Sequence, residues 1–142
     1  MLSHEKNWSD VFIKKARKEM ANSSFSLSLG QEDLEHLRDF CVSRRSSLMR
    51  LLENPNLLEH ETFTDLLWAV FHLTEELKFR DVLEGLPDED YEHLCGDVAR
   101  VYTLLIREWL AYMKHLKQDY PYLYSLAVRT NPFDPEASPI VE

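Results

Sequence analysis

Two histidine–carboxylate pairs are the residues of this 142-residue chain whose types and spacing best suit chemistry. Asp33 with His36 and Asp90 with His93 each stand three residues apart, which places both side chains on one face of a helix. Bundles that hold two metal ions use the related pattern Glu-x-x-His on two helices. These four residues are therefore the candidate metal ligands of the sequence.

A complete site of that kind needs one further carboxylate from each of two other helices. Glu75 or Glu76 and Glu108 are the available candidates. Because both pairs carry Asp where the pattern has Glu, a metal-dependent helical-bundle enzyme is the alternative hypothesis. The favoured expectation is that no metal or cofactor is bound.

The remaining histidines and the absent motifs argue against an enzyme. His72 stands in an apolar run and is interpreted as a core or boundary histidine, and His60 and His115 as surface residues. The sequence contains no nucleophile elbow, no glycine-rich phosphate loop and no His-Glu-x-x-His motif. We therefore expect a protein that is not an enzyme.

Composition narrows the class of partner. A net charge of −9 argues against nucleic acid, since binding to phosphates demands a basic face. The two cysteines, Cys41 and Cys95, form no Cys-x-x-Cys pair and are expected to be buried free thiols in a reducing cytoplasm. No signal peptide and no apolar run of bilayer length is visible. We expect a cytoplasmic protein, with membrane association only through a partner or a missing N-terminal region.

Apolar periodicity and helix-boundary residues predict an all-α fold. It is a bundle of about five helices, mostly antiparallel, with a long C-terminal helix and an extended tail. Residues 1–133 are expected to form one domain, and residues 134–142 an extended or disordered tail. The predicted helices cover residues 10–20, 30–54, 62–80, 87–119 and 121–128.

Residues 29–37 (LGQEDLEHL) and 86–94 (LPDEDYEHL) resemble each other, and each opens a predicted helix. A duplicated helical hairpin would explain the similarity. Convergence explains it equally, because acidic first turns stabilise helices in general. The sequence leaves both explanations open.

Aromatic residues crowd the C-terminal part of the chain. Tyrosine and tryptophan are enriched at interaction surfaces, although core packing accounts for such crowding too. The tail residues would dock as an extended segment on a partner subunit or on the chain's own bundle. The predicted interaction residues are Trp109, Tyr112, Tyr120, Tyr122, Tyr124, Arg129, Asn131 and Phe133.

Residues 108–117 (EWLAYMKHLK) and 120–133 (YPYLYSLAVRTNPF) resemble a cytosolic helical segment associated with prokaryotic, especially archaeal, potassium-channel-like proteins. The chain has no pore helices and no selectivity-filter sequence. The resemblance therefore implies an accessory or regulatory portion, with a membrane protein as a possible partner.

These observations lead to a non-enzymatic helical interaction or regulatory module that acts through a protein partner or as a homo-oligomer. Two alternatives stay open: the metal-dependent enzyme, and a small-molecule sensor with an apolar pocket between the third and fourth predicted helices.

Overall fold

The computed structural model describes residues 29–58 and 60–141, so the helix predicted over residues 10–20 lies outside the described residues. The described residues contain helices and no strand, which confirms the all-α class. No helix among them is both long and apolar enough to span a membrane. The helices are α1 (Gln31–Ser43), α2 (Arg45–Leu52), α3 (Pro55–Leu58), α4 (Glu61–Lys78), α5 (Asp88–Asp119) and α6 (Pro121–Arg129).

Capping and proline residues explain several helix boundaries. Asp33 accepts a hydrogen bond from the Gly30 amide (3.0 Å), which satisfies a free donor ahead of α1. Pro121 is the first residue of α6, where its missing N–H costs nothing. The helix predicted to begin at residue 62 begins one residue earlier, at Glu61, and is preceded by an extended His60.

The prediction of one continuous helix over residues 30–54 is also wrong. The chain breaks at Arg44 (φ −102°, ψ 3°). Beside the break, the Ser43 hydroxyl donates to the Phe40 carbonyl at 2.6 Å, a side-chain bond that competes with helical pairing. Beyond the break, Arg45 forms an ion pair with Glu75 of α4 (2.6 Å), which ties α2 to that helix.

The chain divides into two compact units. The first unit is residues 24–108, and the second is residues 109–142 together with residues 1–23; the division falls within α5. Whether residues 1–133 form a single domain with a separate tail stays a prediction.

In the first unit, α4 is the central helix and packs against α1, α2 and α3. One cluster of buried leucines joins α1, α4, the loop that follows α4, and α5: Leu34, Leu73, Leu77, Leu83 and Leu94. A second cluster joins α2 to α4: Leu48, Leu52 and Leu67. These leucines fix which faces of α4 and α5 turn towards each other.

The connection from α4 to α5 is short and closes tightly. Leu83 in its middle is buried, and Gly85 has a φ of 70°, a left-handed conformation that side chains other than glycine rarely adopt. Residues successively later in α4 meet residues successively earlier in α5, from His72 with Asp97 to Glu76 with His93. The two helices therefore run antiparallel.

The described part of the second unit holds the end of α5, helix α6 and the segment after it. Met113 and Val128 are buried in it, and the Phe133 ring meets Trp109 edge-on at 5.3 Å. The Ser138 amide donates to the Arg129 carbonyl at 3.0 Å, so the segment after α6 folds back on the end of that helix.

Replacing Leu94 by Ala should destabilise the protein by about 2–5 kcal/mol, because Leu94 is fully buried in the leucine cluster that joins α4 and α5. Urea unfolding followed by circular dichroism measures the loss. Leu105→Ala on the same helix is the matched control, since Leu105 is 45% exposed, and should cost about 1 kcal/mol or less. Equal losses for the two variants would contradict this packing.

Candidate metal centre

Four side chains from two helices converge on one small space in the first unit. His72 and Glu76 come from α4, and His93 and Asp97 come from α5. Each pair is spaced by four residues, which places both members on one face of their helix. One nitrogen or oxygen atom from each residue lies within 4.8 Å of the other three. We call these residues the four-residue cluster.

The distances within the four-residue cluster form a closed ring of alternating nitrogen and oxygen atoms. His72 Nε2 lies 3.5 Å from Glu76 Oε1 and 3.2 Å from Asp97 Oδ2. His93 Nε2 lies 3.4 Å from each of the same two oxygens. A tetrahedral ion bound at about 2.0–2.1 Å sets its ligand atoms about 3.3–3.4 Å apart. The four nitrogen–oxygen distances therefore match four of the six edges of such a tetrahedron.

The two imidazole rings approach this space from different directions. Their planes are nearly perpendicular (87°), with centroids 6.5 Å apart. Both rings turn Nε2 towards the carboxylates. His72 and His93 are about half exposed, so solvent reaches the cluster from their side.

Asp97 is the member of the cluster that is hardest to explain without a cation. Its side chain is 11% exposed, and its Oδ2 atom is fully buried and accepts no hydrogen bond from the described residues. Both histidine nitrogens lie near that oxygen, at 3.2 and 3.4 Å, but neither donates a hydrogen bond to it. A buried carboxylate oxygen without a donor is costly, and a bound cation would remove the cost.

Glu76 divides its two oxygens between the cluster and Arg80. Arg80 Nη1 donates to Glu76 Oε2 at 2.7 Å, which leaves Oε1 facing the histidines. The guanidinium also donates two hydrogen bonds to Asp90, at 2.6 and 2.8 Å. The hydrogen bond from Arg80 is the main cause that lowers the pKa of Glu76, and it likewise lowers the pKa of Asp90. Both carboxylates are therefore held in the charged form.

The donor set indicates which ions would fit. Two neutral imidazoles and two carboxylates offer two nitrogens, two oxygens and a charge of −2, which a divalent cation neutralises. Imidazole nitrogen suits zinc, iron, nickel and copper, whereas Mg²⁺ and Ca²⁺ take oxygen ligands. This donor set would suit a first-row transition-metal ion held across a helical hairpin.

The structure separates the four metal candidates of the sequence. His93 lies in the cluster, whereas Asp90 is bonded to Arg80 instead of facing the histidines. Asp33 caps α1, and His36 is exposed on the same helix. Neither of these two belongs to the four-residue cluster.

Of the three further carboxylates suggested by the sequence, one lies in the four-residue cluster and two do not. Glu76 is in the cluster, but Glu75 is paired with Arg45 at 2.6 Å. Glu108 lies about three helical turns beyond Asp97.

Sequence reasoning missed His72 and Asp97. His72 was expected to be a core or boundary histidine, yet it is 45% exposed and points Nε2 at two carboxylates. The signal that could have found both residues is His-x-x-x-Glu followed by His-x-x-x-Asp. Spacing alone is insufficient, because His115 and Asp119 repeat it on α5 at 2.9 Å and belong to no such cluster among the described residues.

The predicted interaction residues fall into two groups within the second unit. One group packs inside: Tyr124 and Asn131 are buried, Trp109 and Phe133 contact each other, and Arg129 donates to the Pro139 carbonyl. The other group is exposed: Tyr112 and Tyr120 are each 53% exposed, and Tyr122 is 92% exposed. Their role in interaction stays a prediction.

Comparison with known proteins identifies an uncharacterised family. Residues 1–129 match the family described as "Uncharacterized protein MJ1433, C-terminal helical domain". Uncharacterized protein MJ1433 of Methanocaldococcus jannaschii is 48% identical over 127 residues, which are 89% of this chain and 51% of the relative. The chain thus spans about half the length of the curated relative that it matches. No solved structure matches the chain.

The expected resemblance to a potassium-channel-associated segment is wrong. The matched family carries no description of a channel, and the match extends over residues 1–129 instead of being concentrated in the C-terminal aromatic segment.

The pKa shifts around Arg80 predict how the metal-free protein responds to acid. Glu76 and Asp90 have pKa values below their ordinary 4.5 and 3.8, so the stability that they contribute is present above those values. That contribution is lost as the pH falls through the lowered values. The free energy of unfolding, measured with urea in EDTA between pH 6 and about 3, should fall less steeply with decreasing pH in Arg80→Gln than in wild type.

Lys78→Gln is the control for this experiment, because Lys78 is an exposed cation at the end of α4, the helix that contains Glu76. It should retain the wild-type pH dependence. An Arg80→Gln profile that runs parallel to wild type would show that Arg80 does not set these two pKa values.

Proposed function

The chain belongs to the family of the C-terminal helical domain of the uncharacterised protein MJ1433, and we propose that it is a helical domain that binds one divalent transition-metal ion. The ligands are His72, Glu76, His93 and Asp97. The ion binds across the hairpin of α4 and α5 and links the two helices. The chemistry of the longer relative is outside this proposal, since the chain covers half of it.

The buried Oδ2 of Asp97, which accepts no hydrogen bond from the described residues, is the observation that carries the proposal. Histidine–carboxylate pairs are common on protein surfaces, where solvent satisfies both partners. In this cluster the oxygen is closed off from solvent and stands 3.2–3.4 Å from two imidazole nitrogens. A neutral imidazole could satisfy the oxygen only by donating an Nε2–H to it, and neither histidine makes that hydrogen bond, whereas a metal ion would satisfy it with both histidines neutral.

Zn²⁺ is the ion that fits best. Its bonds to histidine nitrogen and carboxylate oxygen are about 2.0–2.2 Å long and its usual geometry is tetrahedral. These values agree with the 3.2–3.5 Å edges of the four-residue cluster. Iron, nickel and copper ions also suit imidazole nitrogen and are the competitors.

Stripped of metal and titrated with Zn²⁺ in a calorimeter, the full chain should bind one ion. His93→Ala and Asp97→Asn should each weaken binding by more than the ~100-fold that loss of an outer-shell partner can cost, because each removes a direct ligand. Elemental analysis of the dialysed complex gives an independent stoichiometry.

His115→Ala is the matched control, because His115 and Asp119 repeat the spacing on the same helix and no second pair lies opposite them among the described residues. It should bind Zn²⁺ like wild type. Failure of the wild type to retain any transition metal would refute the proposal and leave the cluster as an ion-pair network. Undiminished binding in His93→Ala would place the ion elsewhere.

Self-association is a second candidate function, and the exposed residues of α6 favour it. Tyr122, Leu123 and Leu126 are 92%, 52% and 42% exposed, and Tyr120 just ahead of the helix is 53% exposed. We call these residues the α6 surface. Tyrosine and leucine so exposed on one short helix suit contact with a second copy of the chain.

Replacing Tyr122 by Ser should shift the chain towards monomer if the α6 surface mediates self-association. Light scattering coupled to size exclusion, over a range of protein concentrations, measures the shift. Phe79→Ser is the control, since Phe79 is a comparably exposed aromatic residue (80%) in the first unit. A wild-type chain that is monomeric at all concentrations would rule this candidate out.

A further inference from the structure

Arg80 contacts the four-residue cluster without being a ligand. It stands two residues beyond the end of α4, where its Nη1 reaches both the side chain and the backbone carbonyl of Glu76, at 2.7 and 2.6 Å. Its Nε and Nη2 atoms donate hydrogen bonds to the two oxygens of Asp90, at 2.8 and 2.6 Å. With its side chain 20% exposed and bonded on both edges, the guanidinium has a fixed orientation.

This fixed orientation limits how Glu76 can bind a metal ion. A carboxylate can offer an ion one oxygen or two. Arg80 occupies Oε2, while Oε1 stands 3.4–3.5 Å from the two histidine nitrogens. A bond from Oε2 to the ion would have to share that oxygen with the short hydrogen bond from Arg80, which makes Oε2 the weaker ligand of the two oxygens.

Asp97 has no comparable restraint. Its Oδ1 atom lies 3.7 Å from Arg100 Nη2, the longest ion pair among the described residues, and the Arg100 side chain is 54% exposed. Each carboxylate of the cluster thus has an arginine beside its second oxygen. Only the arginine beside Glu76 makes a short hydrogen bond to it. Arg100 therefore provides an internal comparison for Arg80.

We infer that Arg80, oriented by Asp90, is a positioning residue that keeps Glu76 a one-oxygen ligand and thereby keeps the bound ion four-coordinate. The inference rests on the proposed metal site. It gives Asp90 a role that sequence spacing did not indicate: Asp90 acts through Arg80, and the opening turn of α5 thus sets the geometry of a ligand on α4. Outer-shell partners of this kind orient metal ligands and tune affinity.

Co²⁺ is the probe that tests the inference, because its visible absorption reports coordination number. Four-coordinate Co²⁺ absorbs several-fold more strongly than five- or six-coordinate Co²⁺. Arg80→Met should weaken Co²⁺ binding by about 10–100-fold and reduce the absorption per bound ion, since the released Oε2 joins the ion. Asp90→Asn should move both quantities in the same direction by a smaller factor. Arg80→Lys keeps the positive charge but lacks the paired donors of the guanidinium. It should retain part of the affinity that Arg80→Met loses.

Arg100→Met is the matched control and should retain both the wild-type affinity, within about threefold, and the wild-type spectrum. Unchanged affinity and absorption in Arg80→Met would overturn the inference while leaving the metal site intact. If wild type takes up no Co²⁺ and no Zn²⁺, the proposed function fails and this inference fails with it. If Arg80→Met does not fold, as judged by circular dichroism, Asp90→Asn decides: a wild-type spectrum and affinity overturn the inference.

Discussion

The antiparallel packing of α4 against α5 is the interaction on which the rest of the first unit depends. Leu73, Leu77 and Leu94 are almost completely buried between these helices and fix their register. In that register, each turn of α4 faces one turn of α5. A register shift by one turn would separate the histidines from the carboxylates opposite them, so the polar cluster depends on this apolar packing.

The polar residues along the seam form an ordered series. Nearest the connection, Arg80 pairs with Asp90; one turn further, Glu76 meets His93, and one turn further again, His72 meets Asp97. In the pair nearest the connection, Arg80 balances the charge of Asp90. At the other two positions the carboxylates face imidazoles. The proposed divalent ion would supply positive charge there.

The two units present different kinds of surface. In the first, the unusual feature is a partly buried polar cluster between helices. In the second, the residues predicted to form an interaction surface divide between interior packing, such as Trp109 with Phe133, and full exposure, such as Tyr122. Aromatic density in a sequence does not distinguish these cases, because Tyr and Trp serve equally as core and as contact residues.

The sequence by itself determined the all-α class and most helix bounds, because apolar spacing, proline and helix-opening acids act locally. It did not determine the break at Arg44, where a serine side chain bonds the backbone, or the start of α4 at Glu61. Of the site, it indicated His93 and, as a helper, Glu76. Only the tertiary structure assembled the cluster, because a ligand set drawn from two helices depends on which turns face each other. His115 with Asp119 has the spacing of His93 with Asp97, and what distinguishes them is the second pair that folding brings opposite.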